Sequence, residues 1–217
     1  MGQKVNPTGF RTGVIYDSKS VWFADKKNYS TYLLEDASIR KFLVSKLTNA
    51  GLTHVEIKRS INNIDIYLHI SRPGVVIGRG GAGLEALKKD LEKLVFIKSK
   101  GKTQTKINLH PVEVKTPDLS AALVAERIIG QIIHRYPHRR AINQAIEKVM
   151  GAGAKGIKIQ VSGRINGAEI ARTEVYKEGQ IPAQTIRANI DYCQSPALTR
   201  SGYVGLKVWI YTGEVIK

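Results

Sequence analysis

The sequence predicts an α+β protein in two parts, each with helices laid on a short-stranded sheet. Three observations predict it. Apolar residues alternate at period two over 64–71 and recur at spacings of three and four over 82–94, so strands and helices follow one another in a single stretch. The run 111–117 contains Pro111 and Pro117 and separates that stretch from a second one with the same mixture. The chain has 217 residues, 42% hydrophobic and 24% charged, which is enough to bury a core without cross-links.

The elements follow in order. Residues 1–35 have no sustained period; Pro7, Gly9 and Gly13 interrupt them, and Phe10, Tyr16, Trp22, Phe23, Tyr29 and Tyr32 are dense. They are expected to form an extended N-terminal arm. Asp36 is expected to cap a helix running to Ala50, with Ile39, Phe42, Leu43 and Leu47 inward and Gly51 as its stop. A strand is expected over 54–60, then a turn at Asn62-Asn63. The next strand puts Ile64, Ile66, Leu68 and Ile70 on one face and ends at Pro73-Gly74. Val75-Val76-Ile77 is a short apolar piece before a glycine loop. A helix resumes at Ala82 with Leu84, Leu87, Leu91 and Leu94, followed by a basic loop over 98–105 and a strand over 106–114. The second part begins at Pro117-Asp118. One helix runs to Arg135, Tyr136-Pro137 breaks the chain, and a second helix runs from His138 to Met150. Strands are expected over 157–161, 172–178, 187–192 and 204–211.

Charge narrows the partner. Lys and Arg number 34 against 18 Asp and Glu, a formal net charge of +16, and the excess is spread over both halves. Such an excess costs self-repulsion in the free protein and suggests a polyanion lying against both parts. A single cysteine, Cys193, rules out an internal disulfide framework and a zinc site built on several cysteines. No apolar run approaches the ~18 residues of a membrane span, and MGQKVNPTGF has no apolar segment of a secretory leader. No membrane partner is expected. Asn6 stands where a myristoylation signal needs Ser or Thr.

The loop VIGRGGAG can be parsed two ways. Gly78, Gly80 and Gly83 satisfy GxGxxG, the dinucleotide fingerprint, but that motif should pass from a strand straight into a helix and meet an acidic residue about 20 positions on. Here Pro73-Gly74 intervenes and the following chain, through Lys98, Lys100, Lys102 and Lys106, is basic. Gly78-Arg79-Gly80-Gly81 also satisfies GxxG, placed between a strand and short apolar piece on one side and a helix and strand on the other. That is the order of a KH domain, whose loop clamps about four nucleotides of a single strand. Small residues let the backbone approach a sugar–phosphate chain, helix-start amides favour anions, and Arg79 adds a charged fork. The helix and strand preceding this core make it a type II KH domain. Lys4, Arg11 and Arg72 are the further basic residues expected on RNA here. In the second part Arg164 and Arg172 frame GRINGAEIARTE, read either as a phosphate-contacting loop or as a sharp connection between strands.

No chemistry is visible. His54, His69, His110, His134 and His138 show no metal-ligand spacing and are expected at helix ends or facing phosphates. No metal, cofactor or small-molecule substrate is expected, and the chain is not expected to be an enzyme.

MGQKVNPTGFRTG, VIGRGGAG, HRRAINQAIEKVMGAGAKGIKIQVSGRINGAEIARTE and GLKVWIYTGEV together resemble the bacterial ribosomal protein S three family. The likeness runs from residue 1 to about residue 215. It implies an arm over 1–35, a type II KH domain over 36–112, and a C-terminal α+β domain over 113–217 with two helices on a mostly antiparallel sheet. It implies binding to small-subunit rRNA in the head, neighbouring head proteins as partners, and a cytoplasmic, ribosome-bound place lining the mRNA entry channel. Many members carry a longer basic C-terminal tail; this sequence stops at Lys217, so no role for such a tail is expected. The family's mRNA-unwinding segment corresponds to His138–Asn143, where Arg139 and Arg140 match two arginines and Asn143 stands in place of a lysine. Their spacing lets all three share one helix edge while Ile142 and Ile146 point inward. Other readings are a free KH-domain regulator of mRNA, or a nucleotide-binding enzyme using the GxGxxG at Gly78.

Overall fold

A computed structural model of the chain describes residues 4–60, 63–98 and 106–215. Two compact units emerge, one made of 18–115 and the other of the N-terminal segment to Asp17 with the chain from Thr116 onward. The chain passes from one unit to the other between Lys115 and Thr116, and the N-terminal segment is divided between the units. Of the expected basic loop, residues 99–105 lie outside the described residues, as does the Asn62 half of the expected turn, while Lys98 ends α4.

The 18–115 unit contains β1 (Ser20–Val21), α2 (Lys26–Lys46), β2 (Leu52–Arg59), β3 (Asn63–Ile70), α3 (Pro73–Ile77), α4 (Ala82–Lys98) and β4 (Lys106–Glu113). Its sheet runs β1-β2-β3-β4, with β2 antiparallel to β3 and β4 parallel to β3. Ile64, Ile66, Leu68 and Ile70 all face inward, as their alternation requires, and meet Ile39, Leu43, Leu91 and Ile107 in one core. Helix α2 begins at Lys26, ten residues before the expected cap at Asp36. Its first turns carry no apolar stripe, and Leu33 and Leu34 are exposed, so periodicity could not reveal them. Asp36 is instead buried in mid-helix. It accepts from the Arg59 Nε at 2.8 Å and the Trp22 indole N–H at 2.8 Å, while Glu35 takes the Arg59 Nη1 at 2.8 Å. This charged cluster fastens α2 to the sheet. The expected stop is found: Gly51 closes the helix region at φ 67°, a conformation that suits glycine.

The other unit contains α1 (Pro7–Arg11), α5 (Ala121–Ile133), α6 (His138–Gly151), β5 (Gly156–Gly163), β6 (Arg172–Gly179), β7 (Ala188–Thr199) and β8 (Gly202–Glu214). The sheet order is β6-β5-β8-β7, antiparallel throughout, with α5 and α6 over one face. Ile128, Ile142, Val149, Ile157, Ile159, Val208 and Ile210 form the core between them. Strand β7 runs seven residues beyond the expected 192 and includes Pro196. It lies at the sheet's edge, where proline is tolerated. The break after α5 is a left-handed turn: Arg135 takes φ 59°, and the Tyr136 N–H reaches back to the Gln131 carbonyl at 2.9 Å.

Residues 4–17 are not extended. Asn6 caps α1, its side-chain oxygen accepting from the Thr8 N–H at 2.9 Å. Tyr16 donates its hydroxyl to the Ile190 carbonyl at 2.9 Å, and burial, aided by Asp191, pushes its pKa up to about 12. The segment is thus bound into the C-terminal unit by local capping and side-chain anchors that have no periodic signature.

Candidate nucleic-acid interface

In the 18–115 unit the glycine loop is built from the backbone. Helix α3 ends at Gly78, a tight turn follows over Arg79–Gly81, and α4 starts at once. Gly78, Gly80 and Gly81 take φ of 69°, 63° and 84°, a left-handed region that other residues rarely enter. Gly83 serves a different need: a Cβ there would lie 2.5 Å from the Val76 carbonyl oxygen, so its absence lets α4 start against the end of α3. Gly78, Arg79 and Gly80 are exposed and Gly81 half-buried, Arg72 is exposed just before α3, and Val75 and Ile77 present apolar surface alongside. The result is a cation-flanked backbone turn at the N-terminus of a 17-residue helix, where amide dipoles favour an anion. The loop joins two helices, so the dinucleotide arrangement of strand, loop and helix is not formed.

In the C-terminal unit the basic surface is built from side chains. Arg139, Arg140 and Asn143 are all exposed on the first turns of α6, while Ala141, Ile142, Ala145 and Ile146 are buried. The first three mark the exposed edge of the helix. His138 stands at the helix end, one of the two places expected for the histidines, and is buried: one ring nitrogen lies 2.9 Å from Glu174 and the other 3.2 Å from Asn166. Glu174 also accepts from the Tyr176 hydroxyl at 2.6 Å and from Arg172 Nε at 3.0 Å. Its carboxyl is held below the ordinary range, chiefly by the Tyr176 hydrogen bond and then by His138. Burial first, and Glu174 second, push the Tyr176 hydroxyl up, with Arg139 opposing them. This network sets the start of α6 against β6 and aims the Arg139 edge.

The remaining expected residues divide. Arg172 is half exposed and already paired to Glu174. Arg164 is exposed but donates to the Ala168 carbonyl at 2.8 Å, closing the 165–167 turn, so it has a structural task besides its charge. It lines a cavity of about 670 Å³ together with Arg135 and Arg200, two arginines that sequence reasoning did not single out because they lie on separate elements. Lys4 is exposed and close enough to Lys158 to depress that ammonium's pKa, with burial and Lys177 adding to the effect. Lys158 and Lys177 face each other directly across β5 and β6, a like-charge pairing that costs stability unless an anion sits over it.

Arg11 corrects an expectation. It is fully buried, donating through Nη1 to the Pro7 carbonyl at 3.0 Å and through Nη2 to Ala183 at 3.0 Å and Thr185 at 2.8 Å. Burial lowers its pKa from the usual arginine value. It is a clamp between two stretches of backbone, at Pro7 and at 182–185, and is not available to touch RNA.

The helix–glycine-turn–helix on a β2-β3-β4 sheet defines a KH domain, and residues 38–119 match the KH domain model. Residues 128–210 match the model described as ribosomal protein S3, C-terminal domain. Over its whole length the chain is similar to proteins named small ribosomal subunit protein uS3. That of Clostridioides difficile (strain 630) is 54% identical over 217 residues, covering all of this chain and 77% of the relative. Those of Caldicellulosiruptor saccharolyticus and Desulforamulus reducens are 51% and 50% identical over 216 residues, each covered to 94%. The chain belongs to the uS3 family of ribosomal proteins, a structural and non-enzymatic family. Among the described residues no helix is long and apolar enough to cross a membrane.

Proposed function

We propose that the chain is a structural constituent of the small ribosomal subunit, cytoplasmic and ribosome-bound, holding small-subunit rRNA in the head beside neighbouring head proteins and guiding mRNA at entry. The observation that carries the rRNA reading is the exposed Gly78–Gly81 turn at the start of α4, flanked by Arg72 and Arg79. It can close on a sugar–phosphate chain without reading base edges. Lys4, Arg164 and Arg172 add phosphate contacts from the other unit. The mRNA reading rests on Arg139 and Arg140, adjacent, exposed and held at a helix start whose opposite face is packed. Planar, permanently charged guanidinium groups grip one strand's phosphates irrespective of sequence. Pulling that strand while its complement is excluded would open a hairpin with energy from the translocating ribosome.

The test pairs two variants. Arg79→Asp with Gly80→Asp weakens binding of the purified chain to small-subunit rRNA and leaves the circular dichroism spectrum unchanged; unaltered affinity with unaltered spectrum removes the loop from the RNA surface. With ~6–10 phosphates contacted, wild-type affinity falls ~10³–10⁵-fold between about 50 and 200 mM salt. Arg139→Ala with Arg140→Ala slows translation through a stable mRNA hairpin but not through an unstructured message, and Asn143→Lys strengthens unwinding. Cosedimentation with small subunits separates this reading from a free mRNA regulator, which would stay in the supernatant.

A further inference from the structure

The outer face of the β1-β2-β3-β4 sheet carries a cluster with no part in the RNA reading. His54 on β2 pairs across the ladder with His69 on β3, and Glu56 lies one inward–outward repeat along β2. The two imidazoles stack, centroids 4.0 Å apart and planes 11° from parallel. Each presents its Nε2 to the same carboxylate oxygen, Glu56 Oε1, at 3.4 Å. Chain spacing gave no metal set among the histidines because His54 and His69 are brought together only by strand pairing.

From this geometry we propose that His54, His69 and Glu56 form a divalent transition-metal site, with Zn²⁺ as its ion. The residue types are those of a two-imidazole, one-carboxylate zinc centre, three protein ligands with the fourth position left to water. The separations fit. Ligands at ~2.0–2.2 Å from a tetrahedral zinc stand about 3.4 Å from one another, and both histidine-to-carboxylate distances are 3.4 Å. All three ligand atoms fall within 4.8 Å of one another, so a modest rotation of the two rings closes the set around one ion.

A further observation points to a ligand. The Nε2 of His69 is buried and makes no hydrogen bond among the described residues, although the Glu56 oxygen lies 3.4 Å away. A buried imidazole nitrogen left so is costly unless something occupies it. The side chains of His54, His69 and Glu56 remain 31%, 22% and 39% exposed, which gives an ion and its water a way in.

The experiment uses the full chain, purified free of RNA and metal and titrated calorimetrically with Zn²⁺ alone; Co²⁺ replaces it for absorption spectroscopy. The expected result is one equivalent bound, with the intense visible bands of tetrahedral Co²⁺. His69→Ala and His54→Ala each weaken binding by at least about tenfold, because losing a ligand exceeds the ~10–100-fold cost of losing an outer partner. Glu56→Gln, which preserves shape, also weakens it and keeps the proposal testable if a histidine variant folds poorly. His110→Ala, on the same face but outside the cluster, leaves it unchanged. Absence of Zn²⁺ binding by the wild-type chain overturns the proposal, as does binding that persists undiminished in folded His54→Ala, His69→Ala and Glu56→Gln.

Discussion

The glycine loop of the KH unit and the arginine edge of the C-terminal unit are both exposed and basic, yet they are made of different material. The loop is backbone: three glycines in the left-handed region and a fourth that lets two helix ends meet. Arg79 decorates a shape that exists without it. The edge is side chain: Arg139, Arg140 and Asn143 project from a regular helix, and their aim depends on His138 and Glu174 beneath them. A backbone site is fixed by local conformation and fails when a Cβ is added. A side-chain site is fixed by packing and hydrogen bonds from distant strands, and fails when those are removed.

The largest expected effect separates fold from function in the loop's unit. Arg59→Ala leaves the buried Glu35 and Asp36 carboxylates without their cation and destabilises by about 3–5 kcal/mol. Urea denaturation should show this loss, and with it loss of RNA binding. A small change would mean that α2 is held by its apolar contacts alone.

Gly83→Ala attacks the loop's shape directly. The new methyl would sit 2.5 Å from one backbone carbonyl oxygen and 3.0 Å from another, neither of which is a flexible side-chain end. We expect about 1–3 kcal/mol of destabilisation, with weakened rRNA affinity although no charge has changed. Retained affinity would show that the cations, not the backbone shape, make the loop.

The corresponding attack on the edge is Glu174→Gln. The folded Glu174 carboxyl titrates below its ordinary value of 4.5. Its stabilisation is therefore complete above that value and is lost as pH falls below it. The urea midpoint of the wild type should decline between about pH 7 and pH 3.5 by more than that of Glu174→Gln. Equal declines would mean that the His138–Glu174–Tyr176 network does not hold the edge.

The smallest effect on stability is expected from Arg139→Ala with Arg140→Ala. Both are exposed, so the unfolding free energy from urea denaturation should change by no more than about 0.5 kcal/mol for each. A substantial loss of stability would place these arginines among the supports of α6 and blur the distinction between the two surfaces.

The sequence by itself determined the α+β class, the alternation of β3, the span of α6 and the glycine turn between helices. Each is a local property: side-chain period or backbone freedom, readable within a few residues. The family was legible for the same reason, in contiguous blocks. Tertiary structure decided what depends on partners far along the chain. Arg11 and Arg139 are both arginines near apolar neighbours, but one is buried against Ala183 and Thr185 and the other faces solvent. Asp36 looks like a cap and is a buried anchor for Arg59, because α2 starts ten residues earlier without an apolar stripe to announce it. Residues 4–17 join the C-terminal unit through Arg11 and Tyr16 rather than standing apart. His54 and His69, fifteen positions apart, meet only because β2 and β3 pair in that register. Charge and polarity are visible in a sequence, but whether a polar group is solvated, paired or buried is set by the strands and helices that fold over it.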